Sequence, residues 1–322
     1  MNVLSGLPFW VKFLTAPVVA LLAGAFLLSR LKRGTFNFYL WLALTLLLLL
    51  CFNYYPAIKA FHTAFYRYDI GGEATYVGVS NFKRLVTDPI LRQSFANMAK
   101  LALFVCTVSL VMPLIAAELI FHLKTERMRY FFRVLFVVPM VVPGIAVTLI
   151  WHYMYSDAGL INEALRAVGL SGLARGWLSD PDTALIAVMF AGFPFVSGFP
   201  LLIYYAGLSN IPESLLDAAK MDGASPWSTF RHVHLPLISG QVRVLAVLTI
   251  IGAVQGFERI LILTTGGPGF ATMVPGYYMY RNAFSFKKMG YACAIGLLLF
   301  VVMLAGTVFS MRFIRSAEEL IE

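Results

Sequence analysis

Long runs of apolar residues, separated by short polar segments, dominate the chain. A helix needs about 20 apolar residues, at a rise of about 1.5 Å each, to cross the hydrocarbon core of a membrane. Seven stretches reach that length, and they cover residues 8–29, 38–57, 95–121, 134–155, 184–207, 244–264 and 291–314. The pattern therefore predicts an all-α integral membrane protein with about seven transmembrane helices.

Composition and charge agree with a lipid environment. Of the 322 residues, 60% are hydrophobic and 13% are charged, whereas a soluble domain carries about 25% charged residues. The net charge of +9 comes from short clusters between the apolar runs. A basic stripe interleaved with aromatic residues, as in nucleic-acid-binding proteins, is not found in the sequence. The distribution therefore argues against a nucleic-acid partner.

Two short connecting segments predict the orientation in the membrane. Their basic residues are Arg30, Lys32 and Arg33 in the first segment and Lys124, Arg127, Arg129 and Arg133 in the second. Short loops rich in Lys and Arg stay in the cytoplasm. This places the N-terminus outside, the C-terminus and residues 209–241 inside, and residues 59–94, 156–183 and 266–290 outside.

The prolines within the predicted helices leave two interpretations open. Pro139, Pro143, Pro194 and Pro200 each remove a backbone donor. Helices in a membrane bundle tolerate such residues because neighbouring groups re-satisfy the freed backbone atoms. These positions mark either kinks that line a pathway or local adjustments of packing.

The polar connection over residues 209–241, which we call the elbow, begins with the signals of a short helix. Asn210 is a candidate N-cap, Pro212 suits the first turn, and Glu213 completes a capping box with Asn210. Gly223 stands where a left-handed residue would end that helix.

A second short helix is predicted to follow in the elbow. Ser225 is its N-cap, Pro226 occupies its first position, and Leu235-Pro236 is predicted to stop it. Small residues on the first helix and aromatic residues on the second form a surface suited to docking a partner. An amphipathic connector lying on the membrane interface is the alternative.

The elbow resembles the EAA loop of permease subunits of binding-protein-dependent ATP-binding-cassette importers. The family pattern is EAA-x-x-DGA, followed by an aromatic residue and then by LP. The matching residues here are Asp217, Ala218, Ala219, Asp222, Gly223, Ala224, Phe230, Leu235 and Pro236. Asp217 replaces the usual Glu and keeps its negative charge. The resemblance implies that these residues dock on a cytoplasmic ATPase subunit.

Four further segments resemble the carbohydrate-uptake branch of that family, with its maltose-type and glycerol-phosphate-type permeases. They are YVGV-x-NF at 76–82, FFRVLFVVPMVVP at 131–143, GFP at 192–194 and LTTGGPG at 263–269. The resemblance covers residues 40–315 and implies a six-helix type I importer core. The first helix is an addition to that core.

The resemblance also implies a division of the chain and a set of partners. Residues 1–94 are N-terminal transmembrane helices with an external loop, and residues 95–322 are the permease core with the cytoplasmic EAA loop at 209–241. The implied partners are a second homologous permease, a cytoplasmic ATPase dimer, an external solute-binding protein and membrane lipid. The implied location is a bacterial or archaeal cytoplasmic (inner) membrane, crossed several times.

Motifs for chemistry within the chain itself do not occur. The sequence has no G-x-x-x-x-G-K-[ST], so ATP would be bound by the partner subunit. It has no HExxH, no GxSxG, and no Cys or His spacing typical of a metal site. We therefore expect no catalytic residue, no metal and no cofactor on this chain.

The ionisable residues of the apolar stretches lie towards helix ends. Lys100, Glu118, Glu258 and Arg259 are the examples, and the last two are neighbours able to form an ion pair. Because no carboxylate falls at mid-membrane, the pattern favours a neutral polar solute moved by an external energy source. A secondary transporter or channel would require mid-membrane ionisable or carbonyl-rich sites. A membrane enzyme would require His, Asp or Ser gathered at one depth.

Aromatic and amide side chains provide a candidate solute pathway. Gln255 and Phe257 lie in the sixth apolar stretch, and Phe193 and Phe199 lie in the fifth. Aromatic rings stack on the apolar faces of sugars and amides bind hydroxyl groups, so the sequence is compatible with a sugar. Packing between helices is the alternative role for the aromatic residues. Gln255 is the strongest candidate because an amide within an apolar helix needs a partner.

Overall fold

The computed structural model describes residues 42–313, which are mostly helical. The helices in chain order are α1 (Leu42–Thr63), α2 (Ser80–Thr87), α3 (Pro89–Phe121), α4 (Glu126–Val137), α5 (Gly144–Met154), α6 (Leu160–Ala167), α7 (Pro181–Phe190), α8 (Gly198–Ser209), α9 (Glu213–Met221), α10 (Pro226–Thr229), α11 (Leu235–Leu237), α12 (Ser239–Gln255), α13 (Glu258–Leu263), α14 (Pro275–Tyr280) and α15 (Met289–Phe313). The first predicted helix, 8–29, lies outside the described residues, as does the start of the second.

Short segments of other helical geometry join these elements. The 3₁₀ segments are Val138–Val141 and Ser171–Leu173, and the π-helical segments are Leu50–Tyr54 within α1, Phe230–His234 and Arg281–Ser285. Helical backbone satisfies its own polar groups, which is the condition for crossing lipid.

Four helices within residues 42–313 are long and apolar enough to cross a membrane. They are α1, α3, the Ser239–Leu263 segment formed by α12 and α13, and α15 up to Arg312. A bent pair, Glu126–Val141 with Gly144–Met154, makes a fifth if it counts as one span, and α7 and α8 are shorter apolar helices. The total of seven stays a prediction.

Three of the seven predicted spans are interrupted. The 134–155 stretch bends by 89° between Val141 and Gly144, because Pro139 and Pro143 cannot donate to the helical ladder. The 184–207 stretch breaks between α7 and α8, and the 244–264 stretch breaks at Gly256.

The segment after α1 contains the only β-sheet among residues 42–313. Strands β1 (Tyr66–Arg67) and β2 (Thr75–Tyr76) pair antiparallel, with Tyr66 opposite Tyr76. Asn81 holds this hairpin by donating to the carbonyl oxygens of Ala64, at 2.8 Å, and Tyr66, at 3.0 Å. The Asn of the 76–82 motif therefore has a structural role in this chain.

The buried core consists of two clusters that share α3. One cluster lies between α3, α7, α13, α14 and α15, and the other lies between α3, α8 and the start of α12. Many large apolar side chains outside these clusters are exposed, including Leu103 at 73%. An outward apolar surface is expected for a chain whose solvent is lipid. The first cluster surrounds a cavity, and the second supports the elbow.

Candidate functional site

The elbow begins differently from its predicted start. α9 spans Glu213–Met221 with Pro212 as its N-cap, and no side chain caps it. Asn210 instead closes α8, where its N–H donates to the carbonyl oxygens of Ala206 and Gly207. The predicted capping box between Asn210 and Glu213 is therefore wrong. The reason is that α8 continues through Ser209 and holds Asn210 in a helical conformation.

The turn that ends α9 agrees with its prediction. Gly223 has φ +71°, in the left-handed region that glycine adopts readily. Its N–H donates to the Lys220 carbonyl, and the Ala224 N–H donates to the Ala219 carbonyl, both at 3.0 Å. These two bonds form a Schellman motif, which satisfies the free carbonyls at a helix end.

The second part of the elbow starts as predicted and ends later than predicted. The Ser225 hydroxyl accepts from the Ser228 N–H, and Pro226 is the first residue of α10. Leu235-Pro236 does not stop the helix, which continues through a π-helical segment into α11. Pro236 has no N–H to donate. The π-helical turn ends one residue earlier, where the N–H of Leu235 donates to the Phe230 carbonyl.

The predicted docking residues fall on two faces of the elbow. The exposed ones are Asp217, Ala218, Asp222 and Gly223. Those that are partly or fully buried are Ala219, Ala224, Phe230, Leu235 and Pro236. The exposed face also carries Met221, 88% accessible, and Trp227, 66% accessible. The elbow therefore anchors one face on the bundle and presents acidic and large apolar groups on the other.

A buried hydrogen bond between His234 and Glu118 joins the elbow to α3. His234 is 1% exposed, and its Nδ1 lies 2.7 Å from Oε1 of Glu118, near the end of α3. The other imidazole nitrogen, Nε2, and the other carboxylate oxygen, Oε2, are buried without a hydrogen-bond partner among the described residues. No sequence pattern pointed to this pair, because its members are 116 positions apart.

A cavity of about 810 Å³ lies beside the interruption of the 244–264 stretch. It is lined by residues of α3, α7, α12, α13, α14 and α15 and by residues 256–257, between α12 and α13. Gln255 and Phe257 both line it, as predicted for a pathway. Phe193 and Phe199 do not line it, and their side chains are 62% and 48% exposed on the surface. The structure therefore brings two of the four predicted pathway residues together.

Glu258 and Arg259 also line the cavity, and they do not form the expected ion pair. Among residues 42–313, neither has a salt bridge within the 4.0 Å limit, although they are adjacent. The Arg259 guanidinium instead lies beside Gly192, in the break between α7 and α8. The GFP motif at 192–194 was a signal for that break, but it did not indicate Arg259 as a neighbour.

Neighbouring aromatic rings fix the position of Phe257. Its ring stacks with Tyr277 at a centroid distance of 6.3 Å and contacts Tyr280 at 5.6 Å. Phe257 also borders a second, apolar cavity of about 500 Å³ next to α1. Offset aromatic contacts of this kind stabilise a ring orientation, so Phe257 presents a defined apolar wall to both cavities.

On the predicted outer side, Asp88 joins three elements at the start of α3. Its Oδ1 accepts from the N–H groups of Ile90 and Leu91, and its Oδ2 accepts from the hydroxyls of Tyr278, at 2.8 Å, and Tyr291, at 2.7 Å. Burial raises the pKa of this carboxyl and the four hydrogen bonds lower it, with a net pKa below its usual value. Sequence reasoning missed this residue, whose role is structural.

The part of the chain that the structure describes holds no cluster of three or more His, Cys, Asp or Glu able to bind a metal. The arrangement offers two kinds of function: a surface for docking at the elbow, and a cavity with amide, charged and aromatic walls for a polar solute.

Comparison with known proteins identifies the family. Residues 109–318 match the family described as the binding-protein-dependent transport system inner membrane component. The chain is 32% identical over 283 residues to a probable ABC transporter permease protein, YurN, of Bacillus subtilis, covering 87% of this chain and 97% of that one. It is 29% identical to the lactose transport system permease protein LacF of Rhizobium radiobacter, over 90% of this chain and 97% of that one.

Solved structures share the fold. A chain of a bacterial ABC transporter that imports the acidic polysaccharide alginate superposes with a TM-score of 0.76 at 22% identity, covering 88% of this chain and 98% of that one. The family match spans the elbow and the cavity-lining segment 252–260, and the relatives are non-catalytic permease subunits. The chain is thus a permease subunit, and it belongs to the family of inner membrane components of binding-protein-dependent transport systems.

Proposed function

We propose that this chain is a transmembrane subunit of an ATP-driven importer that moves a sugar or related solute delivered by an external binding protein. The observation that carries the proposal is the cavity at the helix interruption around Gly256, lined by Gln255, Phe257 and the charged residues Glu258 and Arg259. Non-helical backbone at membrane depth is tolerated where it lines a cavity. Relatives named for lactose and for multiple-sugar transport support a saccharide as the solute.

The elbow is the proposed contact with the ATPase. Its exposed face combines Asp217, Asp222, Met221 and Trp227, while its other face is fastened to α3 through His234. An exposed apolar patch rimmed by charges is typical of a protein interface. Closure of two ATPase subunits would push on this face, and the buried pair would pass the movement to α3. The complex would also contain a second, homologous permease.

The proposed function implies an orientation of the chain in the membrane. The elbow faces the cytoplasm, the segments around β1 and α6 face outwards, the N-terminus is outside, and the C-terminus is cytoplasmic. The basic clusters of the short loops support this direction. The extra N-terminal helix precedes the six-helix core.

A matched pair of substitutions tests the docking face. Met221 is 88% exposed on the elbow, and Val86 is 84% exposed on α2, on the opposite side of the membrane in this orientation. We expect Met221→Glu to reduce the recovery of the ATPase with the tagged chain at least tenfold, the effect of about 1.4 kcal/mol lost at an interface. Val86→Glu should leave that recovery unchanged. The measurement is mass spectrometry of complexes purified from detergent-solubilised native membranes.

The outcomes separate docking from the alternative role of the elbow. If an ATPase is recovered equally with both variants, the exposed face is not the contact. If the chain is recovered without any ATPase or second permease while folded, the elbow is a membrane-surface connector and the importer proposal fails.

A further inference from the structure

We infer that Arg259 is an anion subsite of the cavity, and that the solute is a saccharide bearing a carboxylate or another anionic group. This inference rests on the proposed importer function and narrows its substrate class. The side chain lines the 810 Å³ cavity and is accessible from it. Three lining residues have polar side chains, and these are Gln255, Glu258 and Arg259.

The guanidinium of Arg259 lies in the break between α7 and α8. A side chain on Gly192 would place its Cβ 3.5 Å from both terminal nitrogens of Arg259, which is an ordinary contact distance. Arg259 belongs to the 244–264 apolar stretch and Gly192 to the 184–207 stretch. The guanidinium therefore lies between two segments that are predicted to cross the membrane.

The charge of Arg259 has no partner within the described part of the chain. Its guanidinium makes no hydrogen bond or ion pair with another residue of 42–313, and the adjacent Glu258 is not within salt-bridge distance. Ionisable groups at membrane depth are costly, and those that occur face a cavity and serve a pathway or a ligand. A guanidinium without a partner among residues 42–313 is therefore suited to bind an anionic group of the solute.

The chemistry of the lining groups suits a charged sugar. A guanidinium binds carboxylate or phosphate oxygens through two parallel N–H donors. Gln255 offers an amide to hydroxyl groups, and Phe257 offers an apolar wall to a pyranose ring. The Glu258 carboxylate, which also lines the cavity, is an acceptor for hydroxyl groups. An anionic saccharide differs from the neutral solute that the sequence pattern favoured. The sequence pattern did not show that Arg259 lines a cavity without a partner among residues 42–313.

The test compares the binding of charged and neutral saccharides, matched in their number of sugar units, to the intact complex. The complex is purified with its partners, and binding of trigalacturonate, maltotriose, glucose 6-phosphate and glucose is measured by saturation-transfer NMR. We expect the two anionic probes to bind at least tenfold more tightly than their neutral counterparts. Arg259→Gln should remove that preference without weakening the neutral probes, and Arg259→Lys should keep part of it. Comparing the carboxylate with the phosphate probe identifies the anionic group.

A matched control excludes a general effect of charge. Lys100→Gln removes an exposed basic residue from α3 that does not line the cavity, and the anion preference should persist in it. Three outcomes would overturn the subsite. They are equal binding of charged and neutral probes, an equal loss of binding of both in Arg259→Gln, and no binding of any probe by a complex that retains its ATPase. A different outcome would contradict the importer proposal: the purified complex lacks the ATPase and binds no saccharide.

Discussion

His234 Nδ1 lies 2.7 Å from Glu118 Oε1, so the last turn of the elbow is joined to the end of α3 through a buried contact. The two residues are 116 positions apart in the sequence. α3 also packs against α8 and α12 and lines the cavity through Met98. Under the proposed function, a displacement of the elbow would be transmitted through this contact to a helix that lines the cavity. Substitutions at the contact therefore test the coupling.

Removing either member of this pair should destabilise the protein. Glu118→Ala or His234→Ala leaves the other polar group buried without its partner, which costs about 1–3 kcal/mol. The double variant should lose less free energy of unfolding than the sum of the losses in the two single variants, because neither polar group is then left buried without its partner. The measurement is a double-mutant cycle of unfolding free energies in detergent.

His122 provides the control for that cycle. Its Nδ1 is 3.6 Å from the same Glu118 oxygen, but its side chain is 53% exposed. Changes at exposed positions of this kind stay within about 0.5 kcal/mol. We expect His122→Ala to be near neutral, and an effect equal to that of His234→Ala would contradict a specific role for the buried pair.

The turn after α9 should require glycine at position 223. A Cβ there would meet no atom within 4 Å, so the cost of Gly223→Ala comes from φ +71° alone. A left-handed conformation costs an L-residue about 1–2 kcal/mol. We expect Gly223→Ala to lower the free energy of unfolding by about 1–2 kcal/mol and to reduce the recovery of the ATPase with the tagged chain.

Gly240→Ala is the matched substitution, since its Cβ also meets nothing within 4 Å and its φ is not positive. It lies at the start of α12, where alanine favours a helix, so it should be neutral or stabilising. Equal losses in the two variants would show that bulk, and not backbone conformation, decides.

The Asp88 carboxylate should confer a pH-dependent stability. Its pKa is lowered in the folded protein, because the hydrogen bonds from Tyr291, Tyr278, Leu91 and Ile90 outweigh the effect of burial. The folded state therefore binds a proton less readily than the unfolded state. The resulting stability is complete above the ordinary pKa of 3.8 and is lost as the pH falls through the lowered value.

Asp88→Asn isolates this effect. We expect the wild type to be more stable than the variant by about 1.5–3 kcal/mol at neutral pH, the range for hydrogen bonds to a charged group. The difference should decrease in acid below the ordinary pKa. Unfolding midpoints measured against pH test this, and a difference that grows in acid would contradict it.

Gln255 should contribute to solute transport and not to assembly. Loss of one hydrogen bond to a hydroxyl, about 1.4 kcal/mol, corresponds to a tenfold weaker interaction. We expect Gln255→Ala to reduce uptake of the cognate solute about tenfold at low concentration, with unchanged recovery of the partner subunits. Phe193→Ala, at an exposed residue outside the cavity, should retain uptake, and unchanged uptake in both variants would count against this pathway.

Features that depend on local pattern were predictable from the amino-acid sequence. Apolar stretches of about 20 residues indicated membrane helices, and Gly223 and Ser225 indicated where the elbow turns and restarts. Both signals are local, because hydrophobic length and turn chemistry act within a few residues. The docking residues came from resemblance and the pathway residues from the chemistry of aromatic and amide side chains, and both sets remain predictions.

Contacts between residues that are distant in the sequence depend on how the helices pack. The breaks that bring Arg259 to Gly192 and the buried contact between Glu118 and His234 are not written in any local pattern. Asn210 and Pro236 show the same limit, because the helices around them continued past a local stop or start signal. Packing of neighbouring helices outweighs propensities of less than about 1 kcal/mol per residue, and it thereby places the charges that give the cavity its chemistry.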